Sequence, residues 1–235
     1  MANLPLMAYW VCLMSFSFWR RAFLLIGALL LSVGFNVYPG IKGWRLDGSL
    51  TAGRKVFVTL STSGKTLTND MPASDSLASA ASTLTESQIL TSILADYNDV
   101  SGSNLILVLD SDSDFASYSK DHRIFIEDGT ASGVSSGEAK TTFDNGYITE
   151  CKITLTEKAY GSVKSYVQLV THELGHCMGL EHPQATVWSV MSYFYNDEVF
   201  RLAIDDKMGL VHLYGNDSAI RNEKPTYGMS CSRRQ

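Results

Sequence analysis

The chain lacks the basic excess that would suit a polyanionic partner. Its 235 residues carry 19 Lys and Arg against 24 Asp and Glu, a net charge of −5, so nothing in the balance points to nucleic acid. Cysteine is scarce. Of four, Cys12 falls in the N-terminal stretch, which leaves Cys151, Cys177 and Cys231, too few for a disulfide-built scaffold. An odd three allows one disulfide and one free thiol in an oxidising compartment, and the sequence does not choose the pair. Charge is missing altogether from Met1 to Trp19, and Arg20-Arg21 then precede the apolar run Ala22 to Phe35. That run falls short of the roughly twenty residues of a membrane span. It reads as a secretory signal peptide with Ser32-Val33-Gly34 as its small-residue cleavage site. An uncleaved anchor, lengthened into Asn36-Val37-Tyr38, is the rival reading, and a start at Met14 would give the more ordinary signal. In both, the arginines favour leaving the domain outside the cytoplasm. The composition of the whole chain, 235 residues at 45% hydrophobic, is enough for one domain with a real core.

Histidine is also sparse, with five in the chain, yet three fall within His172-Glu173-Leu174-Gly175-His176-Cys177-Met178-Gly179-Leu180-Glu181-His182. Residues four apart share one face of a helix, so His172 and His176 can converge on one zinc ion. Gly179 suits the left-handed turn that ends such a helix, and the turn can return His182 as third ligand. Three neutral nitrogens leave a fourth zinc position open to water, the arrangement of a catalytic site. Glu173 is then a neighbour of the metal, not a ligand. Cys177 points about 100° away from His176 around the helix and reads as a buried small side chain.

This extended motif, with Ser189-Val190-Met191-Ser192-Tyr193 downstream as a methionine turn, resembles the metzincin clan of zinc proteases. With Leu202 to Gly215 it looks most like the matrixins and their bacterial relatives, over about residues 137–215. The resemblance implies an α/β zincin-like fold: a twisted mixed sheet with one antiparallel edge strand, a zinc-site helix and two further helices. It also implies a role for Tyr193, matching the tyrosine of astacin-like and serralysin-like members that serves as zinc ligand or oxyanion donor. A pocket-wall or packing role is the alternative. The matrixins' latency cysteine has no match here.

Taken in order, residues 36–54 read as a lead-in to the strand Val56 to Leu60, and Ser61 to Thr85, rich in Ser, Thr and Ala, as a surface loop. Gln88 to Asn98 has helical spacing. Leu105 to Leu109 reads as a strand buried on both faces. Asp110-Ser111-Asp112-Ser113-Asp114 resembles the opening of a calcium loop, but Phe115 stands where an EF-hand requires glycine. A solvated loop is therefore expected, with Ca2+ the minor alternative. His122 reads as a surface histidine and Arg123 to Glu127 as a short strand. Gly137 to Phe143 and Tyr147 to Leu155 are joined by the hairpin-like Asp144-Asn145-Gly146. Ser162 caps the zinc helix, whose core stripe is Val163, Tyr166, Val167, Val170 and Leu174. Asp205 and Asp206 suit the start of a last helix ending at Gly215, and the resemblance adds that one of them braces the floor of the site. His212 reads as structural.

The domain plan is therefore 1–35 signal or anchor, 36–54 lead-in, 55–215 catalytic domain and 216–235 polar tail. The expected activity is zinc-dependent cleavage of protein or peptide substrates, with one Zn2+ on His172, His176 and His182, Glu173 as general base and Tyr193 as a conditional assistant. A monomer is expected, with membrane contact only through the N-terminal segment. Two other classes stay open: a zinc-stabilised binding or adhesion module without hydrolysis, and a zinc amidase acting on a non-protein amide.

Overall fold

The computed structural model describes residues 36–46, 55–110, 123–130, 135–183 and 186–215. Residues 1–35, read above as a signal or anchor, residues 216–235 with Cys231, read as a tail, and residues 111–122 with His122 and the aspartates beyond Asp110 lie outside them. In chain order the elements are β1 (Asn36–Val37), β2 (Lys55–Ser61), β3 (Thr66–Thr68), β4 (Thr83–Thr85), α1 (Glu86–Asn98), β5 (Ile106–Asp110), β6 (Arg123–Asp128), β7 (Gly137–Asp144) and β8 (Tyr147–Leu155). A 3-10 turn (Glu157–Tyr160), α2 (Val163–Cys177), β9 (Leu180–Glu181) and α3 (Ile204–Tyr214) complete them.

Runs of β-branched and aliphatic residues make the main sheet, in the order β5-β2-β6-β8-β7. The first four strands are mutually parallel and β7 alone is antiparallel, along β8. The hairpin joining β7 to β8 turns at Asn145 and Gly146, with φ of 50° and 82°. Two successive positive values define the tight turn that matches strand twist, which is why Asn-Gly stands there. The mixed α/β architecture is thus the one the sequence suggests, with β7 as the antiparallel edge.

Two strand expectations need correction. Leu105 to Leu109 is not buried on both faces, because β5 lies at the other edge of the sheet and Ile106 is 41% exposed. An apolar run carries no mark of its rank in the sheet. The outer side of this edge is satisfied by Asn98 at the end of α1, which donates to the Leu107 carbonyl at 2.9 Å and accepts its N–H at 2.7 Å. Nor is Ser61 to Thr85 only a loop. Thr66-Leu67-Thr68 pairs antiparallel with Thr83-Leu84-Thr85, burying both leucines between exposed threonines. Three residues are too few for the alternation to register as a pattern.

The two longer helices cover the core. Thr85 and Gln88 cap α1 reciprocally, Thr85 N–H donating to Gln88 Oε1 at 2.9 Å and Gln88 N–H to Thr85 Oγ1 at 3.3 Å. Ser162 caps α2 as expected. The stripe Val163, Tyr166, Val167, Val170 and Leu174 is fully buried, at about 1.5–3 kcal/mol for each large apolar side chain. That burial fixes the rotation of α2 about its axis, and hence the direction of His172 and His176.

For Cys177 the structure settles a pairing that the sequence left open. The residue is buried, and it is bonded to Cys151 of β8, with Cα atoms 5.5 Å apart. Cys151 lies on the same face of β8 as the buried Ile153 and Leu155, and Cys177 continues the Val170, Leu174 stripe by three residues. The two faces pack together, so the thiols meet. Asp110 differs from expectation as well: it is buried and paired with Arg123 at 3.2 Å, so it is not part of a solvated loop.

Candidate metal centre

Helix α2 places His172 and His176 one turn apart, and the chain reverses at Gly179 with φ of 90°, bringing His182 back toward the helix. The three Nε2 atoms form a near-regular triangle, with sides of 3.2 Å from His172 to His176, 3.1 Å from His176 to His182 and 3.0 Å from His182 to His172. A tetrahedral ion bonded at roughly 2.0–2.1 Å has donor–donor edges of about 3.3–3.4 Å, so the triangle fits zinc with a small expansion. No other group of three metal-ligating side chains occurs among the described residues.

The tautomers support the same reading. His172 Nδ1 lies 2.7 Å from the Val190 carbonyl and His176 Nδ1 lies 3.0 Å from the Leu180 carbonyl. A carbonyl can only accept, so each Nδ1 carries the proton and each Nε2 turns a lone pair inward. Lone pairs facing one another at this distance fit a cation between them. Burial keeps the rings neutral: it lowers His172, and with the neighbouring imidazoles brings His176 down to about 3 and His182 to about 4.

Glu173 lies on the adjacent side of α2 and is only 7% exposed. Burial pushes its carboxyl up to about 7, opposed by the Ala139 N–H of β7 and reinforced by Glu138. The residue thus stands between the histidines and the antiparallel edge strand. Tyr193 is 68% exposed, and its ring lies 3.8 Å from that of His182. It also lines a cleft of about 570 Å3 with Gly137, Leu169, Val190, Phe194 and Tyr195, opening beside His172 and Glu173. One wall of this cleft is held by Gln168, a turn before His172, whose amide donates to the carbonyls of Asn196 and Val199, both at 2.9 Å.

Beneath the histidines the methionine turn packs directly on the helix. A Cβ at Gly175 would lie 2.2 Å from Met191 Sδ, so the glycine between the two helical histidines is there to admit the turn. Asp206 secures the turn from below, accepting from Ser189 Oγ at 2.5 Å and Val190 N–H at 3.0 Å. The same carboxylate accepts the Ala203 N–H at the start of α3, at 2.8 Å. Capping and bracing therefore belong to one residue, and of the two aspartates it is Asp206.

Sequence reasoning did not find Asn36, Tyr38, Gln168 or the contact between Gly175 and Met191. The only local signal for any of them was the glycine itself, an unfavourable residue inside a helix.

Fold and site together define a metallohydrolase with a three-histidine centre beside an open sheet edge. Residues 91–215, just over half of the chain, match the matrixin family model, and the chain belongs to that family of zinc metalloproteases. Among solved structures it is similar to the GM1-bound form of the ECX AB5 holotoxin, at 11% identity, covering 78% of this chain and 95% of that one with a TM-score of 0.43. It is similar also to high choriolytic enzyme 1, a hatching-enzyme zinc protease from Oryzias latipes (medaka fish), at 11% identity, 77% and 98% coverage and a TM-score of 0.40.

Proposed function

We propose that the chain is a zinc-dependent endopeptidase in which His172, His176 and His182 hold the metal and Glu173 is the general base. The observation that carries this reading is the 3.0–3.2 Å triangle of inward-facing Nε2 atoms with a buried carboxylate on the next residue. When bound, zinc would polarise a scissile carbonyl and acidify a water molecule. The protein's own groups do the rest. The exposed backbone of β7 can add an extended peptide as a further strand, which gives affinity with little dependence on side chains. The cleft beside His172 then takes one substrate side chain. Glu173 accepts the proton of the attacking water and passes it to the leaving amine. Tyr193, against the third histidine, is a candidate donor to the developing oxyanion. We infer an extracytoplasmic location for this activity from Arg20-Arg21 and the apolar run behind them, read as a signal peptide or an uncleaved anchor.

The test uses metal-replete protein and an unbiased peptide library, with and without a zinc chelator. The wild type should cleave, the chelator should abolish cleavage, and Glu173→Gln should keep its zinc while losing about 10²–10⁴-fold in turnover. Tyr193→Phe should lose about 10²–10³-fold if its hydroxyl is an oxyanion donor and almost nothing if it only walls the cleft. Wild-type turnover in Glu173→Gln would overturn the mechanism. Zinc binding without any peptide cleavage would favour the binding module, or the amidase if a non-protein amide were hydrolysed.

A further inference from the structure

We propose that residues 36–44 act as a strap that positions the third metal ligand, with Asn36 and Tyr38 setting how tightly the site holds its ion. This inference rests on the metal-site reading above and assigns a function to a segment that the sequence offers as a lead-in, or at Asn36-Val37-Tyr38 as the end of an anchor.

The need for a strap follows from the end of α2. His182 is delivered by a short turn after the helix, and the last carbonyls of a helix have no partners within it. The structure supplies a partner for each in succession. Leu174 and Gly175 carbonyls receive the Met178 N–H, and the His176 carbonyl receives the Gly179 N–H at 3.0 Å. From there the donors come from far away in the sequence. The Cys177 carbonyl accepts the Trp44 indole N–H at 2.8 Å, the Met178 carbonyl accepts Tyr214 Oη–H at 2.6 Å, and the Gly179 carbonyl accepts the Tyr38 N–H at 3.2 Å. β1 pairs with β9 in the register Asn36 to Glu181 and Val37 to Leu180. The Asn36 side-chain amide then donates to the carbonyl of His182 itself, at 3.0 Å.

Tyr38 reaches the second ligand too. Its hydroxyl oxygen lies 3.4 Å from His176 Nδ1, on the far side of the ring from Nε2, where it shares the proton given chiefly to the Leu180 carbonyl. Two of the three ligands are thus oriented by residues about 140 positions upstream. Metal sites need ligands held within roughly 0.5 Å of their working geometry, and the strap is what holds the backbone of His182. Asn36 and Tyr38 are positioning residues, since they contact the His182 carbonyl and His176 Nδ1 and not an Nε2.

The experiment uses the full chain and compares the parent with Asn36→Ala, Tyr38→Phe and the double variant. Zinc affinity is measured by chelator competition and ligand geometry by the visible absorption of the cobalt(II)-loaded protein. The double variant should bind zinc about 10–100-fold more weakly, the usual consequence of losing outer-shell partners, and its cobalt bands should shift. A strap that merely stabilised the fold would lower the melting temperature and leave both metal readouts unchanged, and that result overturns the proposal. If the double variant fails to fold, Tyr38→Phe, which removes a single oxygen, decides on the same two readouts. A parent that binds no zinc would instead refute the metal-site reading beneath it.

Discussion

Replacing Gly175 by alanine sets two known effects against each other inside the metal helix. Alanine in a helix interior is worth about 1 kcal/mol over glycine, so an uncrowded site would be stabilised. The new Cβ, however, would stand 2.2 Å from Met191 Sδ and 3.0 Å from its Cε. Carbon and sulfur need roughly 3.5–4.0 Å, so Met191 must retreat by about 1.5 Å. It is buried, 1% exposed, so any retreat pushes into the surrounding core. Overpacking of this kind costs about 1–3 kcal/mol, and a flexible methionine puts the cost toward the lower end. The expected net effect on folding is a loss of up to about 2 kcal/mol, or a melting temperature lower by a few degrees for a domain of this size. Metal binding should suffer more. The retreat carries Val190 with it, and the Val190 carbonyl fixes the His172 ring at 2.7 Å, so zinc affinity should fall about 10–100-fold. Chelator competition and thermal unfolding measure the two effects separately. Adding Met191→Ala should return part of the lost affinity, because it removes the atom struck. A Gly175→Ala protein that is more stable by about 1 kcal/mol and binds zinc as before would refute the reasoning.

Two other perturbations follow from the same framework. Replacing both Cys151 and Cys177 by alanine removes a cross-link spanning 26 residues, worth about 3.5 kcal/mol by chain entropy; urea denaturation should show that loss, and an unchanged midpoint, or free thiols at Cys151 and Cys177 in peptide mapping of the oxidised wild type, would contradict the pairing. Gly179→Ala places a side chain at φ of 90° for about 1–2 kcal/mol, relieved by displacing His182, so zinc competition should weaken while equal affinity would mean that the turn does not position the ligand.

Much of the site was legible because its information is local. Helical spacing relates His172 to His176, one glycine marks where the helix stops, and an aspartate pair marks where the last helix starts. Fold class was legible through the resemblance that the histidine motif carries, while helical spacing in α1 and the buried stripe of α2 located those helices on their own. What could not be read is what joins elements distant in sequence. Asn36 meets His182 across 146 positions, Tyr38 meets His176 across 138 and Trp44 meets Cys177 across 133, and no periodicity encodes such a meeting. The disulfide stood between these cases. Its two cysteines sit on the buried faces of β8 and α2, so the pairing was recoverable once those faces were opposed, yet a helical angle read for Cys177 alone pointed only to burial.

The aspartate pair shows why local signals can be right and still incomplete. Either Asp205 or Asp206 would serve the exposed N–H groups and positive end of α3, and the sequence gives no reason to prefer one. The preference comes from the methionine turn, whose Ser189 hydroxyl and Val190 N–H need an acceptor below them. Asp206 is the aspartate turned inward, at 2% exposure, and it gives one oxygen to Ser189 and the other to both Val190 and Ala203. A surface cap costs little to lose, about 1 kcal/mol. A buried carboxylate that ties a helix start to the turn under the histidines carries the position of Met191, and through the Val190 carbonyl it carries the orientation of His172 as well.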